Sequence, residues 1–293
     1  MSYAFSVKAS INKGQKIESV GVMMVATNDY INRWFNTARD LEKYAFQDVK
    51  TVRIHLFTNR VTDAQNWGRK NLSRISLTVH EIKGWGWPEA TLFRYKFFQD
   101  AAKSIEESIL MYCDSDMVIR SDFQDLLQPE DWDAGMAFVQ HPGYFRNKGA
   151  KGILDLLANP KLLGPSLRSV ATRSKGLGSW ENSKSSTAYL PPRMRRNYVH
   201  GAIWFGKKES FLSMCAVLSE NIRKDLESGY VAIWHDESHL NWYFASIGGS
   251  ILGNELSGVA RFKHLRGVQS RILTVEKSIG EGRVPTEDST NDN

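Results

Sequence analysis

Four apolar runs, each short enough for a strand and three of them followed by an amphipathic or polar stretch before the next, fill the first 115 residues, and this alternation constrains the fold most. VGVMMVAT (20–27) reads as a buried strand, after which Ile31, Trp34, Phe35, Ala38, Leu41 and Ala45 recur at helical spacing. TVRIHLFTN (51–59) and SLTVHEI (76–82) predict two more strands. WPEATLFRYKFFQDAAKSI places Pro88 and Glu89 where a helix begins, with Tyr95, Phe98, Ala102 and Ile105 on one face. ILMYC (109–113) is the fourth strand. Strands alternating with helices predict an α/β protein with a largely parallel sheet covered on both sides.

Such sheets bind ligands beyond the carboxyl ends of their strands, where the fourth strand runs into Asp114 and Asp116. In an extended segment, side chains two apart point the same way, their α-carbons about 7 Å apart. Converging carboxylates suit a hard divalent cation, Mg²⁺ or Mn²⁺, that keeps positions open for phosphate oxygens. Spacing alone is weak, because a chain this long carries about one such pair by chance. Asp131 and Asp133 form a second pair in PEDWDAG, a polar, turn-like context read as surface. Asp114, Asp116 and Val118 also satisfy the D-x-D-x-[T/V] of haloacid-dehalogenase-type phosphohydrolases. The nucleophile strand of those enzymes usually comes first, and their downstream lysine and acidic pair have no counterpart in the expected contexts.

A second constellation, IWHDESHLNWYF (233–244), gathers Trp234, His235, Asp236, Glu237 and His239. Leu240, Tyr243, Phe244 and Ile247 follow at helical spacing, which predicts a helix starting near Asp236, with Asp236 as its N-cap and Glu237 favoured by the helix dipole. A carboxylate held ionised beside an indole and two imidazoles suits chemistry at an anomeric carbon, by attack or by stabilising an oxocarbenium ion.

Composition narrows the classes. Cys113 and Cys215 lie in apolar runs and make neither a disulfide framework nor a zinc site. No apolar stretch approaches the roughly 20 residues of a membrane span, and MSYAFSVKASINKGQK lacks the apolar region of a secretory signal, so a cytoplasmic chain is expected. The net charge of +6 is concentrated in PPRMRRN (191–197) and RFKHLRGVQSR (261–271), clusters that suit a diphosphate, and no nucleic-acid partner is expected. The nine tryptophans can stack on sugar faces, although at least half are expected in the core. A tryptophan-rich chain could also be an inactive carbohydrate-binding protein, but such a protein needs neither acidic motif.

These motifs, with others in order, resemble the retaining glycosyltransferases of family six, which include the histo-blood-group A and B transferases and the α-1,3-galactosyltransferases. WHDESHLN (234–241) is nearly that family's signature. VATNDY (25–30) looks like its uridine-binding turn, WPEATLFR (87–94) ends in its donor-reaching arginine, and CDSD (113–116) corresponds to its metal-binding D-x-D. QHPGY (140–144), STAYLP (186–191) and YVHGAIWFG (198–206) are similar to its HPG motif, its acceptor-side loop and the segment that reads the donor sugar.

The resemblance implies a GT-A fold, a Rossmann-like nucleotide-binding half (about 20–120) fused to an acceptor-binding and catalytic half (about 121–277). A basic insert (146–186), read as an inserted or mobile surface segment around the helical piece GILDLLANPKLL, and a disordered tail (278–293) accompany them. It implies transfer of galactose or N-acetylgalactosamine from a UDP sugar to a galactose-terminated acceptor, in α-1,3 linkage with retention. Asp114 and Asp116 would hold Mn²⁺ (or Mg²⁺) against the diphosphate. Val25, Ala26, Thr27, Tyr30, Arg94, Ser115, His200, Gly201, Ala202 and Asp236 would bind the donor. His141, Trp234 and Thr187 would face the acceptor, and Glu237 would be the catalytic carboxylate, as nucleophile or as stabiliser of a front-side ion pair. A histidine at 200 and an alanine at 202 accompany galactose in the family, because the Ala202 methyl would crowd an acetamido group by about 1–3 kcal/mol. UDP-N-acetylgalactosamine and UDP-glucose are the alternatives. Beyond Ala245 the likeness fades, and Arg261, Lys263, Arg266 and Arg271 could pair with the diphosphate in place of the family's terminal arm, or be solvated surface. With no membrane anchor ahead of the domain, a soluble prokaryotic or viral type is expected.

Overall fold

A computed structural model describes residues 17–144, 176–259 and 269–274. Its main sheet has seven strands: β1 (Ser19–Val25), β2 (Thr51–Thr58), β3 (Ser76–Glu81), β4 (Ile109–Cys113), β6 (Met136–Gln140), β7 (Val199–Lys207) and β8 (Ser250–Leu252), in the order β3-β2-β1-β4-β7-β6-β8. β1, β2, β3 and β4 are parallel neighbours, β7 runs antiparallel to both β4 and β6, and β8 returns parallel to β6. β5 (Met117–Ile119), β9 (Ser257–Val259) and β10 (Ile272–Thr274) form a second, three-stranded sheet. This mostly parallel sheet flanked by helices is a mixed α/β fold, as the alternating runs predict, and GT-A-like, as the resemblance implies.

The strand pleat sorts the core into two layers. Val20, Val22 and Met24 of β1 face α1 (Ile31–Tyr44) and α2 (Val61–Asn71), packing against Trp34, Ala38, Leu41 and Ala64. Met23, Leu110 and Tyr112 point the other way, towards α4 (Arg94–Asp100), α5 (Lys208–Glu227) and α6 (His235–Ser246), through Tyr95, Phe98, Phe211, Leu218 and Leu240. The helix α2 has no clear apolar stripe in sequence. It fully buries only Ala64 and Gly68, and a β-carbon at Gly68 would stand 2.6 Å from Leu77, so close approach carries its contact with β3, while the half-buried Trp67 packs against Trp34 and Phe35 of α1.

Three expectations change. The helix read from Pro88 to Ile105 is divided at Phe93 (φ −90°, ψ −1°) into α3 (Glu89–Leu92) and α4, and ends in a short 3₁₀ turn, Ala102–Ser104. Asp114 and Asp116 lie in a turn, not in an extended segment, because the chain leaves the main sheet at Cys113 and joins the second sheet at Met117. Thr37 of α1 pins that turn by hydrogen bonds to the carbonyls of Ser115 (2.9 Å) and Met117 (2.8 Å). The last part of the basic insert is packed, with Trp180, Glu181 and Ser186 all buried.

The helical piece GILDLLANPKLL, the tail 278–293 and Arg261, Lys263 and Arg266 lie outside the described residues. Both cysteines are buried and free. Among the described residues no helix is long and apolar enough to cross a membrane.

Candidate active site

A cavity of about 300 Å³ opens at the carboxyl ends of β1 and β4. Val25, Thr27, Tyr30, Asp114, Ser115 and Asp116 line it together, while Ala26 is buried beneath it. The turn after β1 is shaped by Asn28 at φ 53°, a left-handed conformation that asparagine tolerates. It is held by the Asn28 N–H on Asn59 Oδ1 (2.8 Å) and the Thr27 hydroxyl on the Trp85 carbonyl (2.7 Å). Trp85, Trp87 and Thr91 complete the wall, and sequence reasoning missed their role. The signal was GWGWP between strand and helix, but only the structure shows that Trp87 is 70% exposed with its ring edge-on to His235 at 4.7 Å.

Asp114 and Asp116 are the residues that would hold a hard divalent cation here. Among the described residues no group of three or more His, Cys, Asp or Glu forms a closed metal site. Two carboxylates at a cavity leave coordination positions for oxygens of a bound phosphate, which is how Mg²⁺-type ions are commonly held. Arg33 lies 3.6 Å from Asp116 and Arg94 3.5 Å from Asp114. The residues present therefore fit such an ion.

Arg94 joins this cavity to the second acidic motif. Only 2% exposed, its guanidinium binds the Asp236 carboxylate directly, donates to the Gly201 carbonyl (2.9 Å) and the Tyr112 hydroxyl (2.7 Å), and stacks over the rings of Tyr112 (4.3 Å) and Trp204 (4.7 Å). Burial works against its charge, yet the Asp236 carboxylate, with smaller help from Tyr112, Tyr95 and Asp114, holds its pKa well above the ordinary arginine value. Burial likewise pushes the Asp236 carboxyl up to about 7, against the pull of Arg94, with Glu237 and Asp114 adding to the rise. Asp236 is not the helix N-cap: α6 starts one residue earlier, at His235 (φ 48°), and Asp236 turns inward to Arg94. Its partner is the guanidinium, and the helix end alone does not keep it in the usual carboxylate range.

Glu237, next on α6, is bound through both oxygens. Tyr198 donates its hydroxyl to Oε1 (2.8 Å) and the Gly201 N–H reaches Oε2 (2.7 Å). The Asp114 N–H bonds to the Ala202 carbonyl (2.9 Å), so one short stretch of β7 touches both acidic motifs. The His141 ring lies 4.9 Å from that of His200 and 5.7 Å from Tyr198. Burial, with His141 nearby, drives the His200 imidazole down to about 3. Trp234 is half exposed and its indole N–H donates to the Ser179 hydroxyl, a neighbour that sequence reasoning did not find. Thr187 lies in a different cluster, its hydroxyl donating to the Asn221 carbonyl (3.1 Å) and its N–H to Asp225 (2.7 Å) on α5. Of the basic residues considered for the diphosphate, Arg271 is described, and its guanidinium forks onto Asp125 in the second sheet's surroundings.

The paired acids at the end of β4 and the Asp236–Glu237 pair on α6 are thus connected through Arg94. The family model described as Glycosyltransferase family 6 matches residues 170–257, a span containing His200, Ala202, Asp236 and Glu237 but not Asp114 or Asp116. The O-antigen biosynthesis glycosyltransferase WbnI of Escherichia coli is 24% identical over 173 residues, 58% of this chain and 61% of that protein. The chain thus spans about three fifths of this curated relative's length. Both matches are to glycosyltransferases, and over residues 170–257 the chain is similar to glycosyltransferase family 6.

Two predictions follow from the packing around β7. A β-carbon at Gly201 would lie 2.7 Å from Glu237 Oε2 and 3.1 Å from its Cβ and Cγ. Gly201→Ala should therefore destabilise the protein by about 1–3 kcal/mol, and adding Glu237→Ala should recover part of the loss; denaturant unfolding of both variants measures this, and strict additivity would contradict the contact.

The second concerns pH. His200 has a folded pKa of about 3 against 6.5 unfolded, so the unfolded chain binds the extra proton between those values and stability falls as pH drops below 6.5. Asp236 acts with the opposite sign, its raised pKa adding stability as pH falls from 7 towards 3.8, but that contribution is common to both proteins compared. His200→Met should flatten the acid-side stability slope by about 1.4 kcal/mol per pH unit between pH 6 and 4, measured by urea unfolding across pH.

Proposed function

We propose that the chain is a metal-dependent, retaining glycosyltransferase that moves a hexose, galactose first among the candidates, from a UDP sugar to a galactose-terminated glycan in α-1,3 linkage. The observation that carries this reading is Arg94: one buried guanidinium lies 3.5 Å from Asp114, binds Asp236 and reaches the Gly201 carbonyl, and so links the D-x-D acids to the Asp236–Glu237 pair.

In this reading the turn at Val25–Tyr30 takes the uridine. Asp114 and Asp116 hold Mn²⁺ or Mg²⁺, which when bound offsets the negative charge developing on the departing UDP. Arg94 and Asp236 orient the donor hexose, and His200 and Ala202 border it. Glu237, fixed by Tyr198 and Gly201, is the acid that meets the positive charge developing at the anomeric carbon, by attack or by electrostatic stabilisation. His141, Trp234 and Ser179 form the acceptor side. Thr187 serves that side indirectly, through the loop it ties to α5.

The test is turnover of UDP-galactose. Chelation or Asp116→Asn should abolish it, with Mn²⁺ restoring only the chelated wild type; full activity in EDTA would remove the metal from the mechanism. Glu237→Gln should keep UDP binding in calorimetry and lower kcat by about a hundredfold or more, whereas an unchanged kcat would exclude Glu237 from the chemistry. Ala202→Gly should move preference towards UDP-N-acetylgalactosamine by about tenfold in kcat/KM, and no shift would refute the steric account of donor choice.

A further inference from the structure

One buried acid on the acceptor side has no part in the reading above. Glu181 is 4% exposed, and its carboxylate takes three donors: Oε1 accepts from the Ser183 N–H (2.7 Å) and the Tyr230 hydroxyl (3.1 Å), and Oε2 from the Ile233 N–H (2.8 Å). Its backbone carbonyl accepts from the buried Arg195 guanidinium (3.2 Å). Tyr230 and Ile233 belong to the link between α5 and α6, so Glu181 ties the segment carrying Ser179 and Trp180 to the link carrying Trp234. Both tied pieces reach the site. Ser179 accepts the Trp234 indole N–H, and Trp180 packs edge-on against Tyr198 at 5.0 Å, whose hydroxyl holds Glu237.

Of residues 231–234 only Ala232 is buried, while Val231, Ile233 and Trp234 are 44%, 52% and 48% exposed, so apolar burial contributes little to the placement of Trp234. Hydrogen bonds place it instead: the Trp234 N–H donates to Ser238 Oγ (3.0 Å) and the His235 N–H to the Ala232 carbonyl (2.8 Å) within the chain's own turn, and the bond from Ile233 to Glu181 is what ties that turn to the segment carrying Ser179.

We propose that Glu181 is a positioning residue that sets the acceptor wall formed by Ser179 and Trp234, and so governs whether the activated hexose passes to an acceptor sugar or to water. The proposal rests on the glycosyltransferase reading and deepens it. Glu181→Gln is the informative change, because it keeps the shape but exchanges one acceptor oxygen for an NH₂ group. The Ser183 and Ile233 partners are backbone N–H donors, so whichever way the amide turns, one oxygen's place is taken by a donor facing a donor.

The full-length wild type and Glu181→Gln are compared with UDP-galactose, Mn²⁺ and lactose, measuring both transfer product and free galactose, and by hydrogen exchange across 230–236. Transfer relative to hydrolysis should fall about tenfold, with a higher KM for lactose, while hydrolysis stays within about twofold of wild type. The Ile233 amide should exchange faster, and Tyr230→Phe, which removes one donor, should lie between the two. A parallel fall in transfer and hydrolysis would reduce Glu181 to a general structural role, and an unchanged ratio would remove it altogether. A wild type that turns over UDP-galactose by neither route would overturn the proposed function instead. Where wild type gives no transfer to lactose, the exchange arm decides, and unchanged protection at Ile233 overturns the clamp.

Discussion

A guanidinium almost without solvent contact is the interaction on which the rest of the site depends. Burying a charge is costly unless it is paired and hydrogen-bonded, and Arg94 meets that condition with Asp236, Tyr112 and the Gly201 carbonyl, between the faces of Tyr112 and Trp204. The partners come from three elements: Tyr112 from β4, Gly201 and Trp204 from β7, and Asp236 from α6. Removing any one leaves a buried charge short of compensation. The ion pair thus constrains the relative placement of the β4 end, the β7 edge and the start of α6, which are the three elements that carry the acids.

The reversed strand β7 makes this possible. Because β7 runs antiparallel to β4, with Ile203 opposite Cys113, its early residues, His200 to Ala202, arrive beside the carboxyl end of β4. The Ala202 carbonyl accepts the Asp114 N–H and the Gly201 N–H donates to Glu237, so the backbone of adjacent residues addresses both acids. Only a residue without a side chain lets Glu237 come this close at 201. A parallel β7 would present its far end here.

Much of this was legible in the chain. The buried strands and α1 announce themselves through uninterrupted or regularly spaced apolar residues, since their burial is one-sided or complete. The helix α2 did not, because its contact with the sheet is made by Ala64 and Gly68, residues whose value lies in being small. The turn at Asp114–Asp116 was misread as extended because the strands on either side are apolar, and nothing local shows that they belong to different sheets. In the same way Asp236 looks like a cap from its position one residue into a helical pattern. Its actual partner, Arg94, is 142 residues away, and pairings at that distance leave no mark on local spacing.

The segment around Thr187 shows the same limit and adds a principle of construction. STAYLP looked like a loop offering Thr187 to a ligand, yet Ser186 and Thr187 both bind Asp225 on α5, and Asp225 also faces His239 on α6 at 3.6 Å. Five residues earlier in the chain, Glu181 makes the corresponding attachment to the α5–α6 link. Two buried carboxylates, each facing several donors, therefore hold an irregular segment that has no strand ladder of its own. Backbone N–H groups in such a segment must find partners when buried, and an ionised acid can satisfy several at once where a neutral side chain satisfies fewer. The β4–β7–α6 junction is fixed by a buried cation among acids and carbonyls, the segment 181–187 by buried acids among N–H and hydroxyl donors. Both place side chains without needing regular secondary structure at that point.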